Sequence, residues 1–348
     1  MSSRASNLQR ESTAWLVIIA VGFLLRMAAA YTWHQSALAE GEFFRLGDSH
    51  SYWTLAEQIA YGKPYQYGSE NAQIFRAPLM PLFLAPFTRL AEAPIAVFVA
   101  RIACALLGCV ALVLVMKLGK RCGGSCASLA AGFMAAVHPG AIGMSIVILS
   151  EALFMPLMLA HLLSWQIALE KQGTQQHKYA MLTGCFAALA VLARPSWILF
   201  LPFSGLLGVA TGPLRARQFM VTALALLAFC CCMSPWWIRN AAITGHFVPT
   251  TLQVGLSLYD GLHPGASGAS DEGMDFAQRF QNEQQKADAD NRLSLDGTLE
   301  YRVDQRAKSA AIAWARQNPG QVVELAGKKL MKTWSLWPDG GASGSPLI

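Results

Sequence analysis

Residues 14–33 read AWLVIIAVGFLLRMAAAYTW, twenty positions whose one formal charge is Arg26. As a helix this stretch is about 30 Å long, the thickness of a bilayer's hydrocarbon layer. A secretory signal has a shorter apolar core followed by a small-residue cleavage site. Here the run ends instead on Tyr31 and Trp33, aromatic residues of the kind that anchor a helix at the membrane–water boundary. It reads as a retained span. Working outward, 54% of the 348 residues are hydrophobic and 14% are charged, against about 25% charged in a soluble domain. Mean hydropathy is +0.35. A soluble enzyme, a secreted disulfide scaffold and a disordered chain are excluded. The expectation is an all-α, polytopic integral membrane protein.

Further apolar runs lie at about 94–117, 127–147, 148–169, 179–193, 196–211 and 218–237, giving about seven transmembrane helices. Pro139 and Gly140 interrupt the third run and Pro156 lies in the fourth, a region readable as two short helices joined by a tight turn. The segments 1–13, 117–126, 170–178 and 212–217 carry Arg4, Arg10, Lys117, Lys120, Arg121, Lys171, Lys178, Arg215 and Arg217 against Glu11 and Glu170. Positive charge accumulates on cytoplasmic connections. The N-terminus is therefore expected in the cytoplasm, and residues after Trp236 outside.

That alternation leaves two large external segments, 34–92 and 240–348, and divides the chain into a transmembrane module, 1–239, and an external C-terminal segment, 240–348. Between Asp260 and Asp304 the latter has ten acids and four bases. Residues 261–273, rich in Gly, Ser and Pro, read as a loop. Val303, Ala307, Ala310, Ala311 and Trp314 have the spacing of an amphipathic helix over 299–318. Residues 322–337 place Lys328, Lys329 and Lys332 beside Leu325, Leu330, Trp334 and Trp337, which suits an interfacial helix. All eight cysteines lie in spans or cytoplasmic connections, so no external disulfide framework is implied. No internal repeat and no nucleic-acid module is visible, and the net charge of +6 is accounted for by the orientation signals.

The alternation also places the unusual polar residues in depth. Asp48 lies in the first external segment, Arg76 where the chain returns to the membrane, and Glu151 at the start of the fourth span. Arg194 and Arg239-Asn240 follow the fifth and seventh spans at their outer ends. Arg26 and Arg101 sit inside spans one and two, about 10–12 Å below the outer surface at 1.5 Å per residue. An arginine near a span end also snorkels to the headgroups, and that reading stays open for Arg194 and Arg239. For Arg26 and Arg101 a buried partner or a ligand is favoured, because intramembrane charge is costly. His50 has no recognisable set of co-ligands for a metal, and His138 and His263, each before proline, read as turn residues. Arginine forks bind phosphate by charge-assisted bonds, and a nearby carboxylate takes a proton from an attacking hydroxyl. There is no nucleotide-phosphate loop, whereas a lipid-linked phosphate donor needs none.

In order along the chain come Gly47-Asp48…Tyr52, Arg76-Ala77-Pro78-Leu79-Met80-Pro81, Ser150-Glu151, Arg194-Pro195 and Pro235-Trp236-Trp237-Ile238-Arg239-Asn240, followed by Gly245-His246-Phe247-Val248-Pro249. This set resembles the GT-C superfamily of polytopic glycosyltransferases, in its bacterial, family 39-like branch related to protein O-mannosyltransferases and the aminoarabinose transferase of lipid A. The likeness covers about residues 14–260.

The resemblance implies a GT-C-like helical bundle and an inverting transferase, hexosyl or pentosyl. Its donor is a polyprenyl-phosphate-linked sugar, and its acceptor a lipid, glycan or protein hydroxyl on the periplasmic face of the inner membrane. Asp48 is then the general base and Glu151 orients the acceptor or an arginine. Arg194, Arg239 and Arg101 hold the donor phosphate, supported by Arg76, Tyr52, Asn240 and Arg26. No cofactor or metal is expected.

The sequence departs from the pattern in two respects. Ser49 follows Asp48 where many relatives have a second acid, and relatives continue into further spans where this chain stops at Ile348, as a fragment or minimal member would. A transporter or flippase for a lipid phosphate, or an inactive scaffold binding one, would use the same arginines without bond chemistry.

Overall fold

The computed structural model describes residues 2–68, 72–90, 92–213, 215–269, 275–290 and 296–333, and among them every regular element is helical. The chain divides into two compact units, Met1–Ala241 with Phe247–Thr250, and Ala242–His246 with Thr251–Ile348.

The first unit is built on α1 (Ser2–Glu40), α4 (Ala93–Val137), α5 (Pro139–Ile146), α6 (Glu151–Glu170), α7 (Gly173–Ala193), α8 (Phe200–Thr211) and α9 (Arg215–Thr244). Each of the seven apolar runs becomes helix. Four helices, Gln9–Glu40, Ala93–Val137, Glu151–Glu170 and Arg215–Thr244, are long and apolar enough to cross a membrane. The chain is a polytopic helical membrane protein. α1 runs on to Glu40, past the aromatic end expected at Trp33. α4 is two arms joined at Gly123 and Gly124, where φ at Gly124 is +73°, a left-handed conformation that glycine alone adopts readily. The arms run antiparallel: Ser128 Oγ on the returning arm donates to the Met116 carbonyl at 2.9 Å. His138 then caps α5, its Nδ1 accepting from Ala141 N at 3.2 Å, so the Pro139–Gly140 interruption is a cap between short helices.

Small residues let these helices approach as membrane helices do. A Cβ on Gly184 of α7 would lie 2.0 Å from the Ala225 carbonyl oxygen of α9, and one on Gly22 of α1 would lie 2.7 Å from Leu112 Cδ2 of α4. One end of the bundle gathers the basic connections. Lys120 pairs with Glu11 at 2.5 Å, Arg121 pairs with Glu170, and Arg217 donates to the Lys171 carbonyl. The four segments singled out by charge therefore meet at a common end.

At the opposite end α2 (Gly47–Ala60) and the short α3 (Leu79–Leu84) lie on the bundle. Tyr52, Trp53 and Ala56 of α2 and Met80 and Leu84 of α3 are buried with Val97, Ala100 and Cys104 of α4 and with Ile146–Leu149. The segment between spans one and two is thus a cap packed into the apolar core at that end of the bundle.

In the second unit α10 (Val254–Gly261), α11 (Asp275–Asp290) and α12 (Leu299–Gln317) bury Leu256, Phe276, Phe280, Val303 and Ala307 together. α12 matches the expected amphipathic helix, whereas α10 and α11 went unread: the Phe276–Phe280 spacing was masked by charge. α13 (Pro319–Thr333) exposes Val323, Leu330 and Met331. Trp334 and Trp337 of the expected interfacial helix lie outside the described residues.

Candidate active site

Four chain segments bring their charged side chains together at the capped end of the first unit. Asp48 lies in the first turn of α2, where the helix dipole favours a carboxylate. Arg76, just before Ala77-Pro78, pairs with Asp48 and donates from Nε to Ser51 Oγ at 3.2 Å. Its guanidinium lies 5.3 Å from the Tyr52 ring centre and 4.7 Å from that of Phe75, a cation–π arrangement. The main chain of Arg76 is fixed as well: the Tyr65 hydroxyl donates to its carbonyl at 3.0 Å. Asp48, Ser51 and Tyr52 occupy positions i, i+3 and i+4 of one helix, hence one face.

That face continues into the second pair. The Tyr52 hydroxyl lies near Ser150 and Glu151, and burial pushes its pKa above the ordinary tyrosine value, with Arg76 opposing the shift. Ser150 Oγ donates to Glu151 Oε2 at 3.1 Å. Glu151, in the first turn of α6, pairs through Oε1 with Arg194, the C-cap of α7 ahead of Pro195. Asp48, Arg76, Tyr52, Ser150, Glu151 and Arg194 thus form a continuous polar line across segments far apart in sequence. Two acids face two guanidinium groups, so the line carries no net charge. The Arg194 side chain is 43% exposed, and its remaining N–H donors bond no other described residue. The Asp48 side chain is 56% exposed.

The other expected site residues lie elsewhere. Arg101 is buried on α4 and holds the cap: it reaches His34 Nδ1 at 3.3 Å and the Phe43 carbonyl at 2.6 Å. Arg239 donates to the Gln73 carbonyl at 3.1 Å and stacks over Tyr65 and Trp236, so it braces the loop that delivers Arg76. Asn240 is fully buried and donates to the carbonyls of Val248 and Thr250, tying down the turn at Gly245. Arg26 bonds the carbonyls of Gly22 and Ala135, deeper in the bundle. The reading of the sequence did not assign roles to Ser51 and Ser150. Their signal was spacing, three residues after Asp48 and one before Glu151. Among the described residues no cluster of three or more His, Cys, Asp or Glu side chains is placed to hold a metal ion.

Residues 76–238 match the family model of dolichyl-phosphate-mannose-protein mannosyltransferases. The matched stretch begins at Arg76 and takes in Arg101, Ser150, Glu151 and Arg194, while Asp48, Tyr52, Arg239 and Asn240 fall outside it. It covers slightly less than half of the chain and points to a membrane-bound glycosyltransferase. No curated protein and no solved structure matches the chain significantly.

Proposed function

We propose that this protein transfers a sugar from a polyprenyl-phosphate-linked donor to an acceptor hydroxyl of a lipid, glycan or protein, with inversion at the anomeric carbon. The observation that carries the reading is the linked pair of ion pairs. Asp48–Arg76 and Glu151–Arg194 share one polar line at one end of a membrane bundle, and three of the four residues lie in the matched stretch.

Asp48 is the general base, taking the acceptor's hydroxyl proton as that oxygen attacks the anomeric carbon, a role worth typically 10²–10⁴-fold. The bond between sugar and phosphate breaks and the polyprenyl phosphate departs with its electron pair. Arg194 is the best-placed phosphate ligand: it is accessible, its free donors suit phosphate oxygens, and Glu151 fixes its orientation. Arg76 holds Asp48 and the α2 face, while Arg101 and Arg239 shape the cap. The basic connections gathered at the other end favour a cytoplasmic N-terminus and an external, periplasmic site in the inner membrane. A transporter would place its charges near the bilayer midplane on broken helices, whereas these lie at the bundle's end.

The test is transfer from a polyprenyl-phosphate sugar by Asp48→Asn and Arg194→Gln, each in membranes at wild-type expression. Asp48→Asn should lower kcat by at least 10²-fold and Arg194→Gln should chiefly raise KM for the donor. Near wild-type turnover by Asp48→Asn would remove Asp48 from the mechanism.

A further inference from the structure

Arg194 meets the donor phosphate in the proposed reaction, so the aim of its guanidinium decides how well that phosphate is held. Glu151 steadies the side chain, but the main chain of Arg194 lies outside any helix. Its φ is −141° and its ψ is 107°, an extended conformation between α7 and the single turn Pro195–Trp197. Two backbone bonds bracket it. Arg194 N donates to the Ala190 carbonyl at 2.8 Å, and Trp197 N donates to the Arg194 carbonyl at 3.3 Å.

Trp197 thus closes the turn on Arg194, and three other rings hold its indole. The ring centre lies 4.0 Å from that of Phe200, stacked at 11°. It meets Phe154 at 5.6 Å and His161 at 6.1 Å, both edge to face. Such offset and edge-on contacts are the favoured aromatic geometries. Phe154 and His161 belong to α6, three and ten residues after Glu151. Positions three apart share one side of a helix, so Phe154 links the indole to the part of α6 that carries Glu151. His161 ties the same helix to α7: it is fully buried, and its Nδ1 donates to the Thr183 carbonyl at 3.0 Å. The Trp197 Nε1 is buried without a hydrogen-bond partner among the described residues. An unpaired buried donor opposes burial, so the ring's shape holds it there rather than its N–H.

We infer that Trp197 is a positioning residue for the transfer, a role that rests on Arg194 as the phosphate ligand. By closing the turn after Arg194 and seating its ring on Phe154, it sets the guanidinium against the Glu151 carboxylate. A residue that only filled space would lower stability without redirecting Arg194.

Two readouts on the full chain in nanodiscs test this, and one needs no transfer. Phenylglyoxal modifies accessible guanidinium groups, and its rate at Arg194 is followed by peptide mass spectrometry. Trp197→Ala should raise that rate several-fold, towards the rate in Glu151→Gln, whereas Trp197→Phe should keep the unaltered rate. In transfer from a polyprenyl-phosphate sugar, Trp197→Ala should raise KM for the donor roughly tenfold and change kcat by less than about twofold. Trp197→Phe should restore KM. An unaltered modification rate at Arg194 in Trp197→Ala would overturn the proposal, as would a loss confined to kcat. If Trp197→Ala fails to fold, Phe154→Leu removes the ring on α6 while leaving Trp197 in place. It should raise the modification rate and KM together, and no change in either would equally overturn the proposal. Should the unaltered protein transfer no sugar, the proposed reaction fails, while the modification rates still decide whether Trp197 aims Arg194.

Discussion

The carboxylate of Glu151, in the first turn of α6, is paired with the guanidinium of Arg194 at the C-cap of α7. Both lie where the chain breaks between helices, so the pair stands at the end of the bundle, open to a ligand on the arginine's far side. A carboxylate that orients an arginine by one oxygen leaves its other donors aimed and available.

If Glu151 acts through Arg194, Glu151→Gln should raise KM for the polyprenyl-phosphate sugar more than it lowers kcat. A hydrogen bond to a charged group contributes about 1.5–3 kcal/mol, or roughly 10–100-fold. Initial rates over a range of donor concentrations separate the two parameters. A loss confined to kcat would instead put Glu151 at the reacting atoms.

Tyr52 gives a pH signature. Its folded pKa is raised, chiefly by burial, above the ordinary value of 10.0. Its contribution to stability is therefore intact below pH 10.0 and is lost as pH rises from there through the higher folded value. Tyr52→Phe should remove that alkaline loss. Thermal melts of both proteins from pH 7 to 11 test this; identical alkaline slopes would count against it.

Two aspartates of the second unit should behave oppositely. The hydrogen bond from Arg302 holds Asp288 below the usual carboxylate value, so its stabilisation is present above pH 3.8 and lost as pH falls further. Burial raises Asp304, which accepts from Gly255 N at 2.6 Å. Its contribution is largest below pH 3.8 and declines as pH rises through the folded value. At pH 7 Asp288→Asn should destabilise α11 and α12 by about 1–2 kcal/mol. Asp304→Asn, which still presents an acceptor to Gly255, should be nearly neutral. Hydrogen exchange of α12 amides reads both; a greater cost for Asp304→Asn would reverse the assignment.

Gly184 tests the packing of the membrane unit. A methyl group there meets the Ala225 carbonyl at 2.0 Å, so α7 and α9 must separate. Gly184→Ala should cost about 1–3 kcal/mol, seen as a lower Tm in detergent. An unchanged Tm would mean that the two helices are not closely apposed.

Much of this was legible in the chain. The apolar runs set the helices because in hydrocarbon each backbone polar group must be satisfied within its own segment. The positions of Lys120, Arg121, Lys171 and Arg217 grouped the connections correctly, because charge is costly in the apolar layer and gathers where the chain leaves it. The ordered motifs singled out Asp48, Arg76, Glu151 and Arg194. The pairing of those residues was not legible, nor was the separation of Arg101, Arg239 and Asn240 from them. In sequence these are polar groups at helix ends or, for Arg101, within a span. Whether such a group faces a ligand or braces a loop depends on which carbonyl or carboxylate lies within hydrogen-bond reach. That distance is fixed only when α2 packs against α4 and α6, through contacts between residues remote along the chain.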